Sequence, residues 1–367
     1  MMIHSIETFS IAVPLTKPFK TALRTVTIAE SIFVKISTKD GFVGWGEAPP
    51  THVITGDSLG SIQFAIDHVM GPQLLGLDLH HSERVFQKLH RSMIGNSSSK
   101  AALDMAIHDL LGQLSGLPLV TLLGGYRDTL ETDFTVSVND AKEMAQDAAH
   151  YVAKGFNVLK IKVGIDDISK DVERIRSIRE KIGYEPKLRL DANQGWEAKE
   201  AVRAIGLMED AGLEIELIEQ PVKAHDIEAL QHVTLHTHTP IMADESIFTP
   251  RDALRVLQMR AADLINIKLM KAGGIYQALK INTLAESYGV ECMMGSMIET
   301  KLGISSAAHF AASQVNITRF DFDAPLMLAE DIVDGGIIYD GRHIRFSKEP
   351  GLGLHTELMN KRFQRIG

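Results

Sequence analysis

Lys187-Leu188-Arg189-Leu190-Asp191-Ala192-Asn193 is an apolar, β-prone run that stops in a carboxylate and a turn. Two later stretches are built the same way: Ile215-Glu216-Leu217-Ile218-Glu219-Gln220-Pro221 and Ile241-Met242-Ala243-Asp244-Glu245. Their acids follow one another at intervals of roughly 28 and 25 positions, about one strand plus one helix per step, which is the repeat of a (β/α) barrel. Neighbouring parallel strands lie about 4.8 Å apart, so Asp191, Glu219 and Asp244 are expected to converge at one mouth of that barrel. Any one of them could simply cap the helix that follows. Three at matching strand ends repel one another unless a cation holds them. The donors are all oxygen, which points to a hard ion, Mg²⁺ ahead of Ca²⁺ or Mn²⁺.

Working outward, eight β-like runs alternate with amphipathic segments from residue 131 onward. The runs are 132–138, 158–163, 187–193, 215–221, 241–245, 264–269, 290–297 and 319–325. No strong helix follows residue 325, so the α/β architecture is a modified TIM-type (β/α)8 barrel of the (β/α)7β kind, with its functional face at the C-terminal strand ends. Ahead of it, an antiparallel meander (3–13, 31–38, 42–47) and helices at 58–70, 82–93 and 97–115 form an α+β capping unit. The expected division is 1–130 for the cap, 131–325 for the barrel and 326–367 for a segment returning to the cap. Two irregular stretches, 15–27 and 51–60, read as mobile loops able to cover the mouth. The first is basic, with Lys17, Lys20 and Arg24.

The chain has 367 residues, 45% of them hydrophobic, ample for a large core. A formal charge of −9 argues against nucleic acid or an anionic membrane surface as partner. The single cysteine, Cys292, excludes an intrachain disulfide and fits a reducing, cytoplasmic setting. No run of about 18 apolar residues spans a membrane, and residues 1–10 do not read as a secretory signal. A small-molecule substrate is the expected partner, with self-association left open.

Lys160 and Lys162 share one face at the end of the second strand, and Lys268 ends the sixth. Strands two and six of eight are diametrically opposed, so Lys162 and Lys268 should face each other across the mouth with the acids between them. A lysine has an ordinary pKa of about 10.4, and a nearby cation or second ammonium would lower it toward that of a general base. On the eighth strand Asp321 and Asp323 share a face in Phe320-Asp321-Phe322-Asp323, too far round to ligate the same ion directly. Two carboxylates there suit a substrate ammonium group. Thr135, Ser296 and Ile298 are assigned to the pocket on strand parity alone. Gly273-Gly274 lacks a phosphate-loop context, and the histidines show no zinc spacing.

Taken together, Lys160-Ile161-Lys162, Asp191-Ala192-Asn193, Glu219-Gln220-Pro221, Asp244-Glu245 and Lys268 resemble the enolase superfamily. The lysine-x-lysine element resembles its muconate-lactonising subgroup, and Asp321-x-Asp323 its dipeptide epimerases. Arg24 resembles the basic residue of members acting on Ala-Glu dipeptides. The resemblance implies Mg²⁺, catalytic Lys162 and Lys268, an ene-diolate intermediate, 1,1-proton transfer and an isomerase working on murein peptides. It also leaves N-acylamino-acid racemase, o-succinylbenzoate synthase and muconate cycloisomerase as alternatives. A non-catalytic small-molecule-binding barrel is the non-enzymatic alternative.

Overall fold

The computed structural model describes residues 1–363. Its centre is an eight-stranded, all-parallel sheet. In chain order the strands are β5 (Phe134–Val136), β6 (Val158–Lys162), β7 (Lys187–Asp191), β8 (Ile215–Glu219), β9 (Ile241–Ala243), β10 (Leu264–Lys268), β11 (Glu291–Gly295) and β12 (Ile317–Phe320). Each pairs with its sequence neighbour, and a helix follows each of the first seven. After β12 comes only a 3₁₀ turn, Ala324–Met327. The sheet curls until its ends meet: Asp133 N donates to Phe320 O at 3.2 Å, and Phe322 N donates to Thr132 Oγ1 at 2.9 Å. The expected (β/α)7β barrel is therefore the observed one. The strands are shorter than the runs predicted because each ends where its polar terminal residue enters the mouth, so Asp321 and Asp323 lie just past β12.

The cap is built on an antiparallel sheet of β1 (Ile3–Lys20), β2 (Thr25–Thr38) and β3 (Val43–Ala48). Here the structure corrects the reading of residues 15–27 as a loop. Strand pairing resumes at Phe19↔Val26 and Lys20↔Thr25, and Thr21 N donates to Arg24 O at 3.0 Å. The run is too polar to read as a strand, yet its backbone groups are paired within the hairpin. Residues 51–57 are likewise anchored. Ser98 N donates to Asp57 Oδ2 at 3.3 Å, and Ser98 Oγ donates to Thr55 Oγ1 at 3.4 Å.

The helix Ser97–Ser115 packs against β3. Glycine is required on the strand: a Cβ on Gly46 would stand 1.9 Å from Ala102 O, and one on Gly44 2.2 Å from Ala106 O. That contact seats the intervening Trp45 in the core and leaves Glu47, the next residue, buried against the barrel. The helix expected at 58–70 is interrupted by a π-helical segment, Ala65–Met70.

Ile338–Asp340 (β13) pairs with His343–Arg345 (β14), which pairs with β4 (Thr129–Glu131). Leu119 N then donates to Gly351 O at 2.7 Å and Leu352 N to Asp109 Oδ1 at 2.9 Å, tying the tail to the cap. A short helix, Thr356–Arg362, follows. Residues 364–367 of the expected returning segment lie outside the described residues. Among the described residues no helix is long and apolar enough to cross a membrane.

Candidate active site

All eight strands run the same way, so their C-terminal ends gather the polar side chains at one mouth. Lys160, Lys162, Asp191, Glu219, Asp244 and Lys268 are all buried there. Lys160 Nζ lies 3.1 Å from Asp191 Oδ2, 2.8 Å from Glu219 Oε2 and 2.8 Å from Asp321 Oδ2. One ammonium thus spans the gap expected between the acids of strands β7 and β8 and Asp321 beyond β12. The gap is small because strands eight and two flank strand one in the ring. Lys162 Nζ lies 2.6 Å from Asp191 Oδ2, and Lys268 Nζ 2.7 Å from Asp244 Oδ2.

The electrostatics follow from burial competing with these pairs. Burial opposes ionisation of Asp191, but Lys162 and Lys160 outweigh it and hold the carboxyl down at about 2. Asp244 is likewise held below the carboxylate range, burial being overcome by Lys268 and Lys271. Glu219 goes the other way, pushed up to about 7 by burial and the Asp191 charge. Burial alone would lower Lys268, yet Asp244 raises it above the ordinary lysine value. The carboxylates dominate the local field there.

Among the described residues no three acids, histidines or cysteines close round one point as a finished metal cage. The surroundings nevertheless suit a hard cation. Asn193 Oδ1, Glu245 Oε2 and Asn266 Oδ1 are buried oxygen acceptors without a hydrogen-bond partner. They belong to the same cluster, since Asn193 Nδ2 donates to Glu245 Oε1 at 3.3 Å and Asn266 Nδ2 to Glu219 Oε1 at 2.6 Å. Glu245 is pushed up to about 8 by burial and the Asp244 charge. Crowded carboxylates with spare oxygen acceptors are the donor chemistry Mg²⁺ takes.

The lysines open onto one cleft. Its floor and walls include Lys160, Lys162, Lys268, Asp321 and Asp323, with Thr135, Ser296 and Ile298 as parity required. Thr135 N donates to Asp323 Oδ2 at 2.6 Å, and Ser296 Oγ donates to Asp321 O at 3.4 Å. Burial and Asp321 push Asp323 up to about 7, whereas Lys160 holds Asp321 below its ordinary value against burial. The cap closes the cleft with Phe19, Leu23 and Arg24 from the hairpin, and with Val53 and Ile54 from the 51–57 segment.

Three basic residues were candidates in the hairpin, and the structure separates them. Lys17 pairs with Glu143 at 2.8 Å and Asp147 at 2.6 Å, and Lys20 Nζ donates to Asn139 Oδ1 at 2.9 Å. Arg24 faces the cleft, and among the described residues its guanidinium has no ion pair or hydrogen bond.

Lys271 escaped the sequence reading. It is buried, its Nζ lies 2.6 Å from Asp244 Oδ1, and it also donates to the carbonyls of Asp244 and Asn266. Its position three residues after Lys268 gives no strand-parity signal. Asn266, two residues before Lys268 on β10, was within reach of that argument. Phe19 and Ile54 carried no signal because their roles depend on how the cap docks.

Residues 5–124 match the mandelate racemase/muconate lactonizing enzyme N-terminal domain, and residues 143–359 match the enolase C-terminal domain-like family. The chain belongs to the enolase superfamily. An L-Ala-D/L-Glu epimerase of Bacillus subtilis is 63% identical over 354 residues, which is 96% of this chain and 97% of that protein. The structure of a substrate-liganded complex of the L-Ala-D/L-Glu epimerase from Bacillus subtilis superposes with a TM-score of 0.96, covering 97% of this chain and 99% of the other. A dipeptide epimerase from Enterococcus faecalis, complexed with Mg and the dipeptide L-Leu-L-Tyr, is 43% identical with a TM-score of 0.93, over 96% and 99% of the two chains. Its epimerase relatives make this chain an isomerase.

Proposed function

We propose that this chain is a Mg²⁺-dependent dipeptide epimerase that interconverts L-Ala-D-Glu and L-Ala-L-Glu. The observation that carries the reading is one cleft holding both Lys162 and Lys268, the acid pair Asp321 and Asp323, and the unpaired Arg24. A dipeptide of this kind offers a matching group for each: an α-carbon proton beside a carboxylate, a free ammonium and a side-chain carboxylate.

A divalent cation held by Asp191, Glu219 and Asp244 would supply Lewis-acid stabilisation of the charge that develops on the substrate's terminal carboxylate. Lys160 adds a fixed positive charge beside those acids. Lys162 takes the α-proton from one face of the carbon: the C–H bond breaks, an N–H bond forms and the electron pair stays on the substrate as a planar ene-diolate. Lys268 returns a proton to the opposite face, inverting that carbon alone, and the roles exchange in the reverse direction. Asp321 and Asp323 bind the ammonium group, and Arg24 binds the glutamate side chain as a bidentate pair. Residues 1–130 shape the pocket, residues 131–325 perform the chemistry and the returning tail joins them. The lone buried Cys292 and the murein-like substrate support a cytoplasmic role in cell-wall peptide recycling.

The test is incubation of L-Ala-D-Glu with the Mg²⁺-loaded protein, followed by chiral chromatography, beside an N-acylated amino acid that lacks the ammonium group. The dipeptide should convert to its epimer while the acylated compound turns over poorly. Faster racemisation of the acylated compound would contradict the reading and favour an N-acylamino-acid racemase.

A further inference from the structure

Phe322 stands between Asp321 and Asp323, and the peptide group on each side of it is fixed by a side chain. Its N–H donates to Thr132 Oγ1 at 2.9 Å, which holds the peptide shared with Asp321. Its carbonyl accepts from the Tyr339 hydroxyl at 2.6 Å, which holds the peptide shared with Asp323. A peptide group is planar, so fixing its carbonyl oxygen fixes the direction in which the next Cα leaves. Among the described residues no other donor reaches Phe322 O, and Phe322 is wholly buried. The other bonds on this turn come from the barrel: Asp321 N donates to Met294 O at 3.0 Å, and Thr135 N donates to Asp323 Oδ2 at 2.6 Å. Tyr339 comes instead from β13 in the C-terminal segment, where it pairs with Ile344 of β14. Burial, followed by the Asp323 charge, pushes its phenol well above the ordinary value, so the hydroxyl keeps its proton to donate.

We propose that Tyr339 is a positioning residue for the site that takes the substrate's ammonium group: through the Phe322 carbonyl it sets where Asp323 stands beside Asp321. This rests on the reading above that these two acids bind that ammonium. Without the hydroxyl, the Phe322 carbonyl is buried with no donor, and the peptide it shares with Asp323 is free to turn. The ammonium lies away from the carbon that inverts and keeps its charge throughout. Its contacts therefore act on binding and not on the chemical step, so loss of Tyr339 shows in KM rather than kcat.

The experiment uses the Mg²⁺-loaded full chain and two ligands that differ only at the amino group. L-Ala-L-Glu is the substrate, and N-propionyl-L-Glu is its competitor. Tyr339→Phe should raise KM for the dipeptide by about tenfold or more and leave kcat within about threefold. The inhibition constant of N-propionyl-L-Glu should stay within about twofold, since that ligand has no ammonium to place. In an Asp323→Asn background the same substitution should change KM by less than about twofold, because the charge it positions is already gone. An equal loss for both ligands, no change in either, or a full further loss on top of Asp323→Asn would overturn the proposal and leave Tyr339 a packing residue. Wild-type protein that binds N-propionyl-L-Glu as tightly as the dipeptide would instead overturn the ammonium reading. Wild-type protein inert toward the dipeptide would overturn the epimerase reading, and this inference with it.

Discussion

Lys17 Nζ lies 2.6 Å from Asp147 Oδ2 on the first barrel helix, which commits the lysine to holding the hairpin down. Lys20 is committed in the same way to Asn139. Of the three basic residues in that stretch, only Arg24 is left to meet a ligand, and it faces the cleft. A partly buried guanidinium with no ion pair among the described residues is poised for a carboxylate from elsewhere.

Arg24→Ala should therefore cost roughly 2–5 kcal/mol of discrimination for Ala-Glu, the range for losing one partner of a buried charge pair. Epimerisation of a neutral dipeptide such as Ala-Leu should be nearly unchanged. Comparing kcat/KM for the two substrates decides it, and equal losses on both would assign Arg24 to docking of the hairpin.

Lys162→Ala and Lys268→Ala should each abolish net epimerisation, because each lysine serves one face of the α-carbon. Either variant should still exchange the α-proton of one epimer without inverting it. Near-normal epimerisation by either variant would rule out the two-base mechanism.

Chelation should abolish turnover and added Mg²⁺ should restore it. Glu219→Gln should lower activity by several orders of magnitude while circular dichroism shows the barrel intact. Burial and the Asp191 charge push this carboxyl up to about 7, and the amide is its closest isostere. Full activity in excess chelator would exclude the metal.

A stability prediction comes from outside the cleft. Glu47 accepts from Thr300 N at 2.9 Å, Thr300 Oγ1 at 2.6 Å and Gly303 N at 2.8 Å, and so caps the helix Lys301–Ser313 from the other domain. Beside it Glu299 is pushed up to about 8 by burial and by Glu47, with Lys268 a smaller opposing influence. A carboxyl raised on folding contributes stability that is present below its unfolded pKa, near 4.5, and lost as pH rises toward 8. Glu299→Gln removes that dependence. The melting temperature of the variant relative to wild type should rise between pH 5 and pH 8, by an amount equivalent to a few kcal/mol at order-of-magnitude level. A difference that stays constant over this range would show that Glu299 does not titrate there.

The polar constellation at the mouth was legible because a parallel barrel turns sequence spacing into geometry. An acid or lysine at the end of each apolar run must arrive at the same mouth, so Asp191, Glu219, Asp244, Lys162 and Lys268 could be placed by counting. Parity on the same strands extended this to Thr135, Asp321 and Asp323. The counting failed wherever docking between parts decides the outcome. The polar residues after Leu15 give no strand pattern, although pairing at Phe19↔Val26 makes them one. Glu47 meets its partner Thr300 only once the cap is seated on the barrel, and Lys271 gains its place from the Asp244 side chain.

The central claim is inversion at one carbon, one lysine removing the α-proton and the other supplying a solvent-derived one to the opposite face. The most direct measurement is the mass and chirality of the product formed from L-Ala-D-Glu in ²H₂O with Mg²⁺. A two-lysine transfer predicts L-Ala-L-Glu carrying a single deuterium at the glutamate α-carbon, and no label at the alanine α-carbon. Epimer formed without deuterium, or label at the alanine carbon, would contradict it.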